Sequence, residues 1–187
     1  MICIGGGSHY TDIEALAHRC GIRNITVYDD NPESGWPQPP EDIHGALVIG
    51  INSPTERRDI ALRFPQLRGC APIVDPSAII GPDVYYGHGV VVNPLVSLLH
   101  SVTLGDHVHL NTGVQMVRTT IGDYSTISCG ATICGDVDIG EATWIGAGAI
   151  IADRCTIGNE VVIGAGAIIP PLSFVPNGAK IVGVFKD

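Results

Sequence analysis

Along the second half of the chain an apolar residue returns at every sixth position. The series runs Ile80, Tyr86, Val92, Leu98, Leu104, Leu110, Met116, then Ile121, Ile127, Ile133, Ile139, Ile145, Ile151, Ile157, Ile163 and Ile169. Four residues after most of these stands a small or β-branched side chain, among them Val84, Val90, Val108, Ser125, Ala131, Thr143, Ala149 and Cys155. A sandwich of short strands predicts period-two alternation and irregular turn spacing. Sixteen positions in phase, with one slip, predict a parallel β-helix of hexapeptide repeats instead. Each hexapeptide forms one face of a triangular prism, and three make a coil, so the repeats give a little over five coils stacked at about 4.8 Å. The slip lies between Met116 and Ile121, spaced five residues apart, within "LNTGVQMVRTTIGDYSTI".

Residues 1–75 follow a different pattern. "MICIGG" is a short apolar run ending in glycines, "SHYTDIEALAHRCG" reads as a capped helix closed by Gly21, and "NITVYDD" is a second buried strand. "GALVIGIN" makes a third strand and "SPTERRDIALRF" a helix starting at a Ser-Pro cap. The stretch "NPESGWPQPPEDIH", with four prolines, is a loop. The pattern is βαβαβ, a small α/β Rossmann-like unit, followed from 76 to 187 by the β-helix.

Composition narrows the functions open to this fold. Ten Lys and Arg against 19 Asp and Glu give a net charge of −9, which disfavours nucleic acid as a partner. No run reaches the ~18 apolar residues of a membrane span, and "MICIGGGSH" lacks the basic flank of a signal peptide, so the expected location is cytoplasmic. The six cysteines contain no CxxC pair and read as buried thiols, with no metal site expected.

Two groups of residues carry candidate chemistry. "GGGSHY" is G-x-G-x-x-Y, which lacks the third glycine of the dinucleotide fingerprint; Asp29 and Asp30 close the second strand, where a carboxylate can accept from ribose or base. About 75 residues supply only a mononucleotide half, so a full NAD site is disfavoured. The second group is His88, His100, His107 and His109, all at non-interior repeat positions, where a solvated histidine is the alternative to a functional one. Their spacings of twelve, seven and two do not suit the zinc site of a β-helical carbonic anhydrase.

The combination resembles the family of sialic acid O-acetyltransferases and nucleotide-aminosugar N-acetyltransferases. The carriers are "IGGGSHY", "VYDD", "VIGIN", "IVDPSAIIGP", "ICGDVDIG", "WIGAGAII" and "VVIGAGAII", and the resemblance spans nearly the whole chain. It implies a left-handed β-helix that forms a homotrimer, with acetyl-CoA in the groove between neighbouring helices and a nucleotide-linked sugar on the α/β unit. It also implies direct transfer, in which a histidine deprotonates the acceptor and a backbone N–H steadies the oxyanion. By this analogy Gly5, Gly7, His9, Asp29, Asp30, Gly50 and Asn52 bind the substrate, and Ser8 stands where the family has glycine. Ala147 and Ala165 are expected to touch coenzyme A.

The family's catalytic segment runs from Asn, seven residues on, to His, with a second His nine further. Laid ungapped, it falls on Asn111, on Val117 or Arg118, and on Thr126, with Gly135 at the oxyanion position; both histidines are then missing. One coil earlier it falls on Asn93, His100 and His109, with Ser101 replacing the acidic neighbour of the base. In that register His100 is the catalytic base and His109 belongs to the cofactor site. Residue 118 is expected in the same column as His100, about 5 Å along the axis. Arg118, with a pKa above ~12, is no base and reads as an ion pair at the trimer interface. The expected activity is acetyl-CoA-dependent transfer to a nucleotide-linked amino sugar or sialic-type sugar. The alternative is an impaired member that binds sugar or protein partners without transferring acetyl.

Overall fold

The computed structural model describes residues 1–29, 31–40, 43–65 and 71–186. From Ile73 on, the chain winds as a left-handed parallel β-solenoid of about six turns. Its three faces are parallel sheets of seven, six and six strands. The first face runs from Ile73–Val74 through Val91–Val92, His109–Leu110 and Thr126–Ile127 to Lys180–Ile181; the second from Ile79–Ile80 to Ile168–Ile169; the third from Val84–Tyr86 to Phe174–Val175. Successive strands pair one coil apart, as in Val92 with Leu110 and Leu98 with Met116.

The six-residue series fills the interior. Leu98, Leu110, Ile127, Ile145, Ile151 and Ile163 are completely buried, as are the corner residues Val96, Val108, Ala131 and Ala149. Burying each large aliphatic side chain contributes roughly 1.5–3 kcal/mol. The first two members of the series depart from this: Ile80 is exposed and Tyr86 half-buried. They lie in edge strands of the second and third sheets, with no coil beneath them. The column instead reaches Val74 upstream and Val175 downstream, so the helix is about one coil longer than the sequence series implied.

Every corner after the first reverses the chain through one residue in the left-handed region. At the second-to-third corner this column is Asp83, Ser101, Arg118, Asp136, Arg154 and Leu172. The slip is absorbed here: Thr119 pairs with Val102, and Ile121 with Leu104, seventeen residues apart where other coils show eighteen. Arg118 therefore stacks on Ser101, and residue 117 takes the column of His100. This corrects the expected alignment of 118 with 100, and the reason is that the left-handed position must be kept in every coil, so the residue is lost from the stretch between the preceding strand and that corner.

The N-terminal elements are β1 (Ile2–Ile4), α1 (Ser8–Arg19), β2 (Thr26–Tyr28), β3 (Leu47–Ile49) and α2 (Pro54–Arg63). The strands form a parallel sheet in the order β2-β1-β3. Alternation along the strands sends Cys3, Val27 and Val48 toward Ile13 and Leu16 of α1, and Ile4 and Ile49 toward Ile60 and Ala61 of α2. The observed order is thus βαββα. No helix joins β2 to β3 among the described residues, since the four prolines of that connection do not suit one. The α1 cluster continues into Ile73 and Val91, so α1 is sandwiched between the small sheet and the first face.

Candidate functional site

The glycine turn after β1 is set by steric necessity. Gly5 has φ +105°, and a Cβ there would lie 2.7 Å from Ile51 Cγ1 and 2.8 Å from the Gly50 carbonyl oxygen. α1 starts directly after the turn, with Gly7 as its N-cap and no side-chain capping bond. Asp29 braces the turn: its Oδ2 accepts from Gly6 N–H at 2.6 Å and its Oδ1 from Asn31 N–H at 2.9 Å. The carboxylate expected to meet a ribose or base is therefore also holding backbone. Trp36 folds back from the loop and donates Nε1–H to the Gly6 carbonyl at 3.1 Å.

Two clefts open beside this turn. One, of about 400 Å³, is lined by Gly5, Gly7, Ser8, His9, Asp29, Asn31, Gly50, Ile51, Asn52, Ser53 and Glu56. Every residue expected to bind substrate lines it except Asp30, which lies outside the described residues. The second, of about 430 Å³, runs between α1 and the coils and is lined by His9, Asp12, Ala15, Leu16, Arg19, Asn52, Asn93, Pro94, Asn111, Thr112 and Cys129. His9 and Asn52 line both clefts.

The floor of the second cleft is the corner between the first and second faces. There Asn93 Nδ2 donates to Asn111 Oδ1 at 3.3 Å and to the Leu110 carbonyl at 3.2 Å, forming a short asparagine ladder. The same corner continues upward through exposed Ala147 and Ala165: Gly148 N–H donates to the Cys129 carbonyl, and Gly166 N–H to that of Ala147. The two alanines expected at coenzyme A thus share a column with the cleft floor.

Beneath the clefts, a buried cation ties the α/β unit to the coils. Arg57 of α2 is fully buried and donates to the carbonyls of His107, Ile51, Asn52, Tyr124 and Ser125 and to Thr126 Oγ1, at 2.5–3.2 Å. Burial pushes its pKa down to about 9. His107 and His109, expected on an open face, are buried under the unit. His109 Nδ1 lies 3.2 Å from His9 Nε2, and His107 stacks on Tyr124 with ring centroids 5.6 Å apart. Burial lowers the pKa of His107 to about 4 and also lowers those of His9 and His109; the Arg57 cation adds to all three shifts.

His100, Arg118 and Gly135 lie elsewhere, on the corner between the second and third faces. His100 is half-buried, with Nδ1 3.4 Å from Ser101 Oγ. Arg118, expected to form an ion pair at a subunit interface, pairs with Asp136 of its own chain at 2.9 Å. Its guanidinium lies over Gly135, where a Cβ would be 2.1 Å from Arg118 Nη2. The Gly135 N–H, placed at the oxyanion position by the ungapped register, already donates to Asp153 Oδ1 at 2.9 Å. Within one chain, then, the fold gathers His9, Asn52, Asn93, Asn111 and His109 but leaves His100 at the next corner. Asp12, Arg57, Thr112 and Cys129 were missed by sequence reasoning. Arg57 carried a faint signal, as a charge at a helix position whose neighbours along the face, Ile60 and Ala61, are apolar.

Residues 136–171 match the bacterial transferase hexapeptide family of six repeats. No curated protein matches the chain. Among solved structures, the acetyltransferase domain of PglB from Neisseria gonorrhoeae FA1090 is 27% identical, with a TM-score of 0.86 over 97% of this chain and 95% of that one. The same domain in complex with acetyl coenzyme A gives 26% and 0.84 at the same coverage. PerB from Caulobacter crescentus, solved with CoA and GDP-perosamine, shares the fold at 23% identity and a TM-score of 0.86 over 97% and 93% of the two chains. Solenoid, repeat and these likenesses together define a hexapeptide-repeat acetyltransferase. Within that class its motifs resemble those of the nucleotide-aminosugar acetyltransferases.

Proposed function

We propose that the protein transfers an acetyl group from acetyl-CoA to an amino sugar, or a related sialic-type sugar, carried on a nucleotide. The observation that carries this reading is the meeting of the two clefts at His9 and Asn52. One has the glycine turn and carboxylate suited to a nucleotide, in the α/β unit from 1 to about 75. The other opens onto the corner of small residues that leads to Ala147 and Ala165. The PglB domain, which is 26% identical, binds acetyl coenzyme A on the same fold.

In the proposed reaction the acceptor nitrogen or oxygen attacks the thioester carbonyl. The base takes its proton, the C–S bond breaks, and the coenzyme leaves as thiol. His100 is the proposed base, within the Asn93–His100–His109 spacing. Because His100 and Asn93 occupy different corners of one prism, this proposal requires the homotrimer: the cleft of one protomer must face the second corner of its neighbour. Asn93 and Asn111 then hold the acceptor.

A second reading, binding without transfer, draws on the closed corner at Arg118, where Asp136 and Asp153 occupy the guanidinium and the Gly135 N–H. The deciding experiment is calorimetric titration with acetyl-CoA, followed by nucleotide-linked amino sugars with free thiol measured. Sugar-dependent thiol release supports the transferase; donor and sugar binding without release supports the second reading. No donor binding at millimolar concentration overturns the first.

A further inference from the structure

Around the clefts, three buried polar atoms have no partner among the described residues: Asn52 Oδ1, His107 Nδ1 and His109 Nε2. His109 was expected to serve the cofactor, yet it has no exposed surface and reaches no ligand itself. What it touches is His9, ring to ring, with centroids 5.4 Å apart and planes tilted by 33°. His9 in turn lines both clefts and has its other nitrogen, Nδ1, 3.6 Å from Asp12 Oδ2.

Two neutral imidazoles can share one proton across their contact, and the surroundings decide which ring gives it. The groups facing the pair are Asp12 on α1, Arg57 on α2 and His107 on the coils. The Asp12 carboxylate favours a proton on His9 Nδ1, which leaves His9 Nε2 as an acceptor. His109 must then donate from Nδ1, and its orphan Nε2 carries a lone pair. The reverse arrangement buries an N–H on His109 Nε2 with no acceptor and turns a lone pair of His9 toward a carboxylate. Orphaned donors are the rarer of the two in folded proteins. Both ends of the chain of contacts therefore select the same tautomers, and Arg57 opposes a second proton on either ring.

We infer that His109 is a positioning residue. It donates Nδ1–H to His9 Nε2 and so fixes His9 as a neutral Nδ1–H donor at the junction of the clefts, where it meets an acceptor oxygen of the ligand and does not act as a base. The inference rests on the reading of these clefts as a nucleotide-sugar site. The ligand chemistry it implies is an oxygen acceptor, phosphate or sugar hydroxyl, at the junction.

The test combines imidazole ¹⁵N NMR with calorimetry on the intact protein, on His109→Leu, which removes the donor, and on His109→Asn, whose amide reaches the position of Nδ1. The expected result is that His9 stays in the Nδ1–H tautomer from pH 6 to 8 in the wild type and in His109→Asn. In His109→Leu it becomes a tautomer mixture. UDP and GDP serve as probes of the nucleotide cleft. The nucleotide that binds should bind about tenfold more weakly to His109→Leu, with acetyl-CoA affinity unchanged and the loss largely restored in His109→Asn. A wild-type His9 that already averages its tautomers, or keeps the proton on Nε2, overturns the inference without needing any variant to fold. Unchanged nucleotide affinity in a folded His109→Leu also overturns it. Failure of the wild type to bind either nucleotide overturns the nucleotide reading instead, while the tautomer measurement still decides the relation between His109 and His9.

Discussion

The guanidinium of Arg57, on the second helix, donates to the hydroxyl of Thr126, on the first face of the coils, at 2.7 Å. Thr126 Oγ1 also contacts the Asn52 carbonyl at 3.0 Å, so one hydrogen-bonded cluster joins a cleft residue, the α/β unit and the solenoid. All six Arg57 contacts go to carbonyl or hydroxyl oxygens, and those on His107, Ser125 and Thr126 are buried. Arg57→Met is expected to leave those acceptors unpaired and to destabilise the protein by roughly 3–5 kcal/mol. Arg57→Lys should recover little, because three donors on one nitrogen cannot span the fork. Urea unfolding of the two variants measures both effects.

Stability should fall on mild acidification. His107 titrates near 4 in the fold, and His9 and His109 are also lowered, against an ordinary value of 6.5. The unfolded chain therefore binds more protons below 6.5, and the advantage of burying neutral rings, complete above that pH, is lost as pH drops toward 4. His107 alone accounts for on the order of 2–3 kcal/mol. Denaturation midpoints measured between pH 7.5 and 4.5 should decline through that window, and His107→Phe should flatten the decline.

His100→Ala should reduce turnover by about 10²–10⁴-fold while acetyl-CoA binding stays within twofold of the wild type. Steady-state thiol release and calorimetry check the two halves. Unchanged turnover would remove His100 from the mechanism and, with it, the coil-shifted register.

The cysteines should react in an order set by burial. Cys129 is exposed on the floor of the second cleft, whereas Cys3 is buried, with its thiol pushed up to about 12 by desolvation. A maleimide should modify Cys129 well before Cys3, and the peptide masses resolve each site. Acetyl-CoA is expected to slow labelling of Cys129, since its proposed path follows that corner.

Much of the solenoid was legible because its signal is local. Each hexapeptide repeats the same burial problem, so Leu98, Leu110 or Ile145 needs no distant partner to be recognised as interior. The end of the series was less legible: Ile80 satisfies the pattern yet is exposed, because burial also depends on whether another coil lies beneath. The slip was visible as a spacing of five, but only the stacking of left-handed residues shows that Arg118 falls over Ser101 and not over His100.

By itself the sequence determined the repeat, the interior column, the glycine turn and several residues that line the cleft beside it, all set by contacts within one supersecondary unit. The tertiary structure alone decided that His9 meets His109 across 100 residues, that Arg57 is buried among the coils, and that Asn93 and His100 stand at different corners. The physical reason is that these depend on how the α/β unit docks on the first face. That docking turns outward positions, polar by pattern, into a second interior.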